Sequence, residues 1–117
     1  MSEEAPVYET TDSIDIQAFS QLACAQHKDD AGFKVPSPEE IKALRNYLGL
    51  SQVACARFTG VSYKPEKGSS IVRKWETSKE NRNHKPIPYA AWRLLLAAAK
   101  VIDLDEDIEI SKQRPSI

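Results

Sequence analysis

Apolar side chains recur along most of this chain at steps of three and four, the period of a helix with one buried face. Residues 1–13 are the exception: few large apolar side chains, no period, and several acids, which predict a loosely held N-terminal tail. The first stripe is Ile14, Ala18, Phe19, Leu22 and Ala23, closed by Gln26. It predicts a leading helix within residues 14–28 that ends near His27. The run KDDAGFKVPSPEE then breaks the period. Within it Ser37-Pro38-Glu39-Glu40 supplies an N-cap, a proline for the first helical position and acids for the first turn, with Glu40 placed to complete a capping box. The face Ile41, Leu44, Tyr47, Leu48 follows and stops at Gly49.

Ser51 opens a further helix through Val53, Cys55, Ala56 and Phe58 to a stop at Gly60, and Ser69 or Ser70 caps another from Ile71 to about Thr77, with Ile71, Val72 and Trp75 inward. After the polar run SKENRNHK, the segment PIPYAAWRLLLAAAKVI predicts the longest and most apolar helix, from near Pro88 to near Ile102. Its buried face is expected at Ala91, Leu94, Leu95, Ala98 and Ile102. Residues 103–117 predict an acidic C-terminal tail with a short extended piece at Ile108 and Ile110. The fold class expected is all-α, about five helices, with one folded unit over residues 14–102.

Composition narrows the function. The chain has 117 residues, enough for one ordinary core. No run of about 18 apolar residues and no basic-then-apolar leader occurs, which predicts a cytoplasmic protein without a membrane partner. Cys24 and Cys55 lack CxxC spacing and read as reduced, packed thiols. The net charge of −1 hides a division: residues 1–33 carry −6, residues 34–102 carry +8 and residues 103–117 carry −3. A basic middle flanked by acidic ends suits a polyanion, because the charge of the contacting face governs phosphate binding.

The basic middle contains the chain's most specific pattern. Two helices meet in a helix-turn-helix when the first is small where the second crosses it, the turn tolerates positive φ, and the second helix buries one side and presents the other. Gln52, Ala56 and Gly60 fall at four-residue steps, Val61 follows the glycine, and Val72 and Trp75 supply the buried side. The constellation LRNYLGLSQVACARFTGVS…IVRKWE resembles the lambda-repressor-like, or Xre-type, helix-turn-helix regulators over residues 38–102. The departure is YKPEKGS, Tyr63 to Ser69, which lengthens the turn. The resemblance implies a recognition helix at Ser69–Thr77 whose Ser69, Ser70, Arg73 and Lys74 face base edges. Arg73 is the expected guanine reader, since a guanidinium donates two parallel bonds to O6 and N7. Gln52 matches a phosphate-bonding position, and the loop of Lys79, Asn81, Arg82, Asn83, His84 and Lys85 falls where the family approaches the sugar-phosphate backbone. Arg45 and Glu76 match a structural pair. Lys64 and Lys67 of the lengthened turn either add a phosphate contact or belong to a solvated spacer.

The expected function is therefore a DNA-binding transcriptional regulator. It is read as a homodimeric repressor on an inverted-repeat operator, dimerising through Tyr89, Trp92, Leu95, Leu96 and Ala99. No separate sensor domain is evident, which suits autoregulation by a phage, plasmid or other mobile-element protein. The alternative is an antitoxin or interaction module that holds a partner protein through its leading helix or tail. Cys24 and His27 are three apart, but with only His84 and Cys55 in addition they make a poor zinc set, and neither a metal nor a cofactor is expected. No nucleophile, base and orienting acid fall together, and no phosphate-cradling glycine loop occurs, so no enzymatic activity is expected.

Overall fold

Caps and stops act where the sequence places them. In the computed structural model of the chain, which describes residues 14–113, the Ser37 hydroxyl accepts from the Glu40 N–H at 3.1 Å while the Glu40 carboxylate accepts from the Ser37 N–H at 2.8 Å. This reciprocal cap starts α2 (Pro38–Tyr47). The other α-helices are α1 (Ile16–Phe19), α3 (Gln52–Thr59), α4 (Ser70–Trp75), α5 (Tyr89–Ala98) and α6 (Leu104–Lys112), with a single 3₁₀ turn at Ala23–Ala25. The fold is all-α, and among the described residues the only β pairing is one isolated bridge. No helix among them is long and apolar enough to cross a membrane. The tail expected at 1–13 lies outside the described residues, as do positions 114–117 of the C-terminal one.

Helix α5 is the centre of the core. Trp92, Leu95 and Leu96 are fully buried, Ala91 and Ala99 nearly so, against Ile41 and Leu44 of α2, Cys55 and Ala56 of α3, and Val72 and Trp75 of α4. Each large side chain withdrawn from water in this way contributes about 1.5–3 kcal/mol. The buried stripe is thus 91-92-95-96-99, whereas Leu94 is half-buried and Ala98 exposed. This overturns the expected dimer surface: Trp92, Leu95, Leu96 and Ala99 are spent inside one chain and offer a second copy nothing to touch. The surplus apolar surface of α5 is covered by α2, α3 and the N-terminal segment. Both cysteines are free and buried. Burial pushes the Cys24 thiol up to about 12, with Glu40 adding to it, and the Cys55 thiol up to about 11, so both stay protonated and unreactive at neutral pH.

Three boundaries differ from expectation. First, α5 stops at Ala98 rather than near Ile102, because Lys100 enters the left-handed region at φ 65°, with Lys100 N–H bonded to Ala97 O and Val101 N–H to Leu96 O. Gly49 closes α2 by the same two-bond motif at φ 73°. A lysine with that φ is strained where glycine is not, so Lys100→Gly is expected to stabilise the protein by about 1 kcal/mol despite the extra freedom of the unfolded glycine. A urea titration checks this, and an unchanged or lower midpoint would show that Lys100 is held there at no cost.

Second, the leading helix is broken into α1 and the 3₁₀ turn. The break falls at Leu22, whose backbone is extended (φ −69°, ψ 152°), and the carbonyls beyond it bond α5 instead of solvent: Trp92 Nε1–H donates to Cys24 O at 2.7 Å, and Arg93 Nη1 donates to Ala25 O at 3.0 Å and Gln26 O at 2.7 Å. Lys28 N–H is satisfied by the Tyr89 hydroxyl at 3.0 Å. With Phe19, Cys24 and Ala25 buried, this segment is a lid on the core.

Third, the acidic tail is helical where an extended piece was expected at Ile108 and Ile110. The Asp103 carboxylate caps α6 by accepting from Asp105 N–H, and Asp105, Glu106 and Asp107 fill its first turn, where negative charge offsets the helix dipole. Asp107 then takes two bonds from Arg93, Nε to Oδ2 and Nη2 to Oδ1, both at 2.8 Å, and this docks the helix.

Candidate nucleic-acid interface

The exposed edge of α4 is the part of the molecule built to be held still. At its start, Ser69 is fully buried and its hydroxyl is used twice: it donates to Ser62 O at 2.7 Å and accepts from Val72 N–H at 3.2 Å as the N-cap. Ser69 therefore has no free group for a base, which corrects its expected role. Its work is to tie the start of α4 to the end of the turn. The helix itself is Ser70–Trp75, shorter than the expected Ser69–Thr77, with Glu76 at its C-cap.

At its other end α4 is tied to α2. Arg45 donates through Nε to Glu76 Oε2 at 2.6 Å and through Nη2 to Glu76 Oε1 at 2.9 Å, while its Nη1 reaches Leu50 O at 2.9 Å. Both side chains are under a tenth exposed. Gln52 completes the group by donating Nε2 to Glu76 Oε1 at 3.2 Å. The Gln52 amide nitrogen thus points into this cluster, against its expected role on a phosphate. The carboxylate it approaches is the strongest acceptor within reach. Between the two ties, α4 packs on α3 through Val72 and Trp75 against Cys55 and Ala56.

What faces solvent on α4 is Ser70 and Arg73, with Lys74 half-buried beside them. The lengthened turn is ordered next to that edge. Val61 N–H returns to Ala56 O after Gly60 at φ 83°. Lys64 and Gly68 then exchange two backbone bonds of 2.8 Å each, and Pro65 sits in the turn closed by Lys67 N–H to Lys64 O. Gly68, at φ 94°, brings the chain back to Ser69. Lys64 and Lys67 are exposed, and the Lys67 carbonyl accepts from Arg73 Nη2 at 3.3 Å. The lengthening is therefore a closed excursion, and the two helices on either side of it pack on each other.

On the far side of α4 the polar loop folds back, with Lys85 N–H on Lys74 O. Lys79, Asn81, Arg82, Asn83 and Lys85 are exposed. Asn81 also braces the loop by accepting from Asn83 N–H at 2.8 Å. His84 turns inward, its Nδ1 against Thr77 O at 2.8 Å, which must be an N–H donating to the carbonyl. That bond makes His84 a loop anchor through one of its two ring nitrogens. Glu80 is the one acid in this loop, and a bond from the Ser78 hydroxyl holds its carboxyl below the usual carboxylate range.

Of the predicted site residues, then, Ser70, Arg73, Lys64 and Lys67 line one cleft, Lys74 is half-buried on the same helix, and Lys79, Arg82, Asn83 and Lys85 are exposed on the loop that follows it, while Ser69, Gln52 and His84 hold the frame. Tyr89 is half-buried against His27 and Phe33 by edge-on contacts. Sequence reasoning passed over Arg93, although a lone cation inside the apolar run YAAWRLLLAA was the signal for a buried ion pair. A larger hollow of about 580 Å³ lies between the end of α5 and the start of α6. Its walls carry Lys100, Asp103 and Glu106 among aliphatic side chains. Compared with family models, curated proteins and solved structures, the chain finds no match.

Proposed function

We propose that the protein is a sequence-specific DNA-binding regulator, acting as a homodimeric repressor that lays α4 in the major groove. The observation that carries this reading is the double tethering of a six-residue helix whose two exposed side chains, Ser70 and Arg73, are a hydrogen-bonding and a cationic one, with further cations on both flanking loops. A helix used merely for packing gains nothing from being fixed at both ends beside seven basic groups: Lys64, Lys67, Arg73, Lys74, Lys79, Arg82 and Lys85. A reading helix does, because bidentate bonds to base edges require fixed geometry. A helix this short covers few base pairs, and two copies on an inverted repeat supply the affinity that one lacks. The contact between copies then lies outside the buried stripe of α5.

Selection of bound sequences from a random duplex pool at near-physiological salt tests the proposal. The expected result is a palindromic consensus with half-site centres about 34–36 Å apart. On that consensus, Arg73→Ala is expected to cost about 1–3 kcal/mol while affinity for random duplex stays within a few-fold. Equal losses on both duplexes would make Arg73 a phosphate ligand, and no enrichment at all would remove the DNA reading.

A second reading has one observation in its favour. Leu104, Ile108 and Ile110 of α6 are exposed apolar residues on an acidic helix, as a protein-binding antitoxin would present. A stoichiometric second protein co-purifying from the native host, lost on removal of residues 104–117, would favour it.

A further inference from the structure

We propose that the cleft between the Lys64–Gly68 hairpin and α4 binds one phosphodiester of a DNA duplex, so that the lengthened turn is a backbone clamp beside the reading helix. The proposal rests on the DNA-binding function above and adds a contact that a short turn could not make. The cleft has a volume of about 380 Å³ and is walled by Tyr63, Lys64, Lys67, Ser70 and Arg73. Lys64 and Lys67 are the cations offered to the phosphate, with Arg73 beside them turned to the base edges, and among the described residues no carboxylate lies within ion-pair distance of any of the three. Glu66 stands on the same hairpin but is not part of the wall. The hydroxyls of Tyr63 and Ser70 add neutral donors.

Order is what makes this group more than a basic loop. The paired backbone bonds between Lys64 and Gly68, the Pro65 turn, the Ser69 to Ser62 tie and the Arg73 to Lys67 bond fix the hairpin against α4. The cations are therefore already gathered before any anion arrives, and little backbone entropy is lost on binding. A Cβ on Gly68 would sit 3.7 Å from Arg73 Nη2, so the hairpin and the guanidinium are in near contact. The occupant is a polymer phosphate rather than a free one, because the walls are open and all three cations are solvated. A lone anion gains little there, whereas a duplex releases condensed counterions for each phosphate neutralised.

The test compares wild type with the Lys64→Ala, Lys67→Ala double variant on the selected duplex and on a random one across a salt series. The variant is expected to lose affinity on the order of tenfold at about 0.1 M salt on both duplexes alike, and to flatten the log–log salt slope by about 0.9 per bound subunit. Phosphate-ethylation interference on the selected duplex should lose one position per half-site. Lys64→Gln, Lys67→Gln, which keeps side-chain length on the exposed hairpin, should behave the same, with an unchanged thermal midpoint for either variant. An unchanged slope and footprint in variants that still read the consensus would overturn the clamp alone. A loss confined to the selected duplex would also overturn it, placing the lysines on bases. Amide shifts at Gly68 and Ser70 saturating with inorganic phosphate alone would overturn it in favour of a free-anion site. If the wild type binds neither duplex, the DNA reading and the clamp fall together.

Discussion

Replacing Arg93 by methionine is expected to lower the stability of the protein by about 3–5 kcal/mol, the cost of breaking a buried charged network from one side. Arg93 is 5% exposed and serves three acceptors: the carbonyls of Ala25 and Gln26 and the Asp107 carboxylate. Methionine approximates the volume of the stem, so the loss comes from unmet acceptors more than from a cavity. The two carbonyls are held away from water by the packed N-terminal segment, and Asp107 loses the ion pair that, among the described residues, docks α6. Urea unfolding reads the total, and a fall in helical ellipticity at zero denaturant reads the release of α6. The Tyr89 ring, with the Arg93 guanidinium 5.5 Å from its centre, loses a cation–π contact as well. A destabilisation below about 1 kcal/mol would show that surface-type energetics apply and that α6 is held by something else.

Glu76→Ala is expected to cost a similar amount, about 3–5 kcal/mol, because it leaves the Arg45 guanidinium buried with only Leu50 O to bond. The sharper measurement is the double change Arg45→Met, Glu76→Leu. Apolar replacement of a whole buried pair is often neutral, so the double variant should recover most of the stability lost by the single one. Chemical denaturation of both variants checks this. If the double variant is as unstable as Glu76→Ala, the pair contributes packing that apolar groups cannot replace. If it is stable yet binds the selected duplex more weakly, the pair serves to aim α4.

Both residues illustrate how far the chain can be read without coordinates. Arg45 and Glu76 are 31 positions apart, and nothing in their local sequence marks them. They were singled out by resemblance, and the bidentate geometry is what the structure adds. Arg93 had a local signal, a charge where the helical period demands an apolar residue, but its three acceptors come from segments 67, 68 and 14 positions away. Ser69 shows the opposite difficulty. Sequence alone offers two capping serines in succession, and which one is buried depends on where Ser62 O lies after a turn whose path is set by Gly60, Pro65 and Gly68. The exposed cations were the easiest part, since hydration keeps unpaired charges at the surface wherever the chain goes.

What the sequence by itself determined is everything governed by neighbours within a turn or two. The period of apolar residues required helices, Ser37, Ser51 and Gly49 bounded two of them, and the charge division located the basic surface. Only the tertiary structure decided the rest. It broke the leading helix at Leu22 and seated the piece beyond it on α5, where Trp92 and Arg93 bond the carbonyls of Cys24, Ala25 and Gln26. It docked the helix of the acidic tail, because Asp107 meets a buried arginine. It withdrew Trp92, Leu95, Leu96 and Ala99 from any partner, because the core closes over them. In each case the deciding energy is a polar group or apolar surface satisfied by a residue far along the chain, and even where one group is marked locally, as Arg93 is, the identity of its partner has no local trace to read.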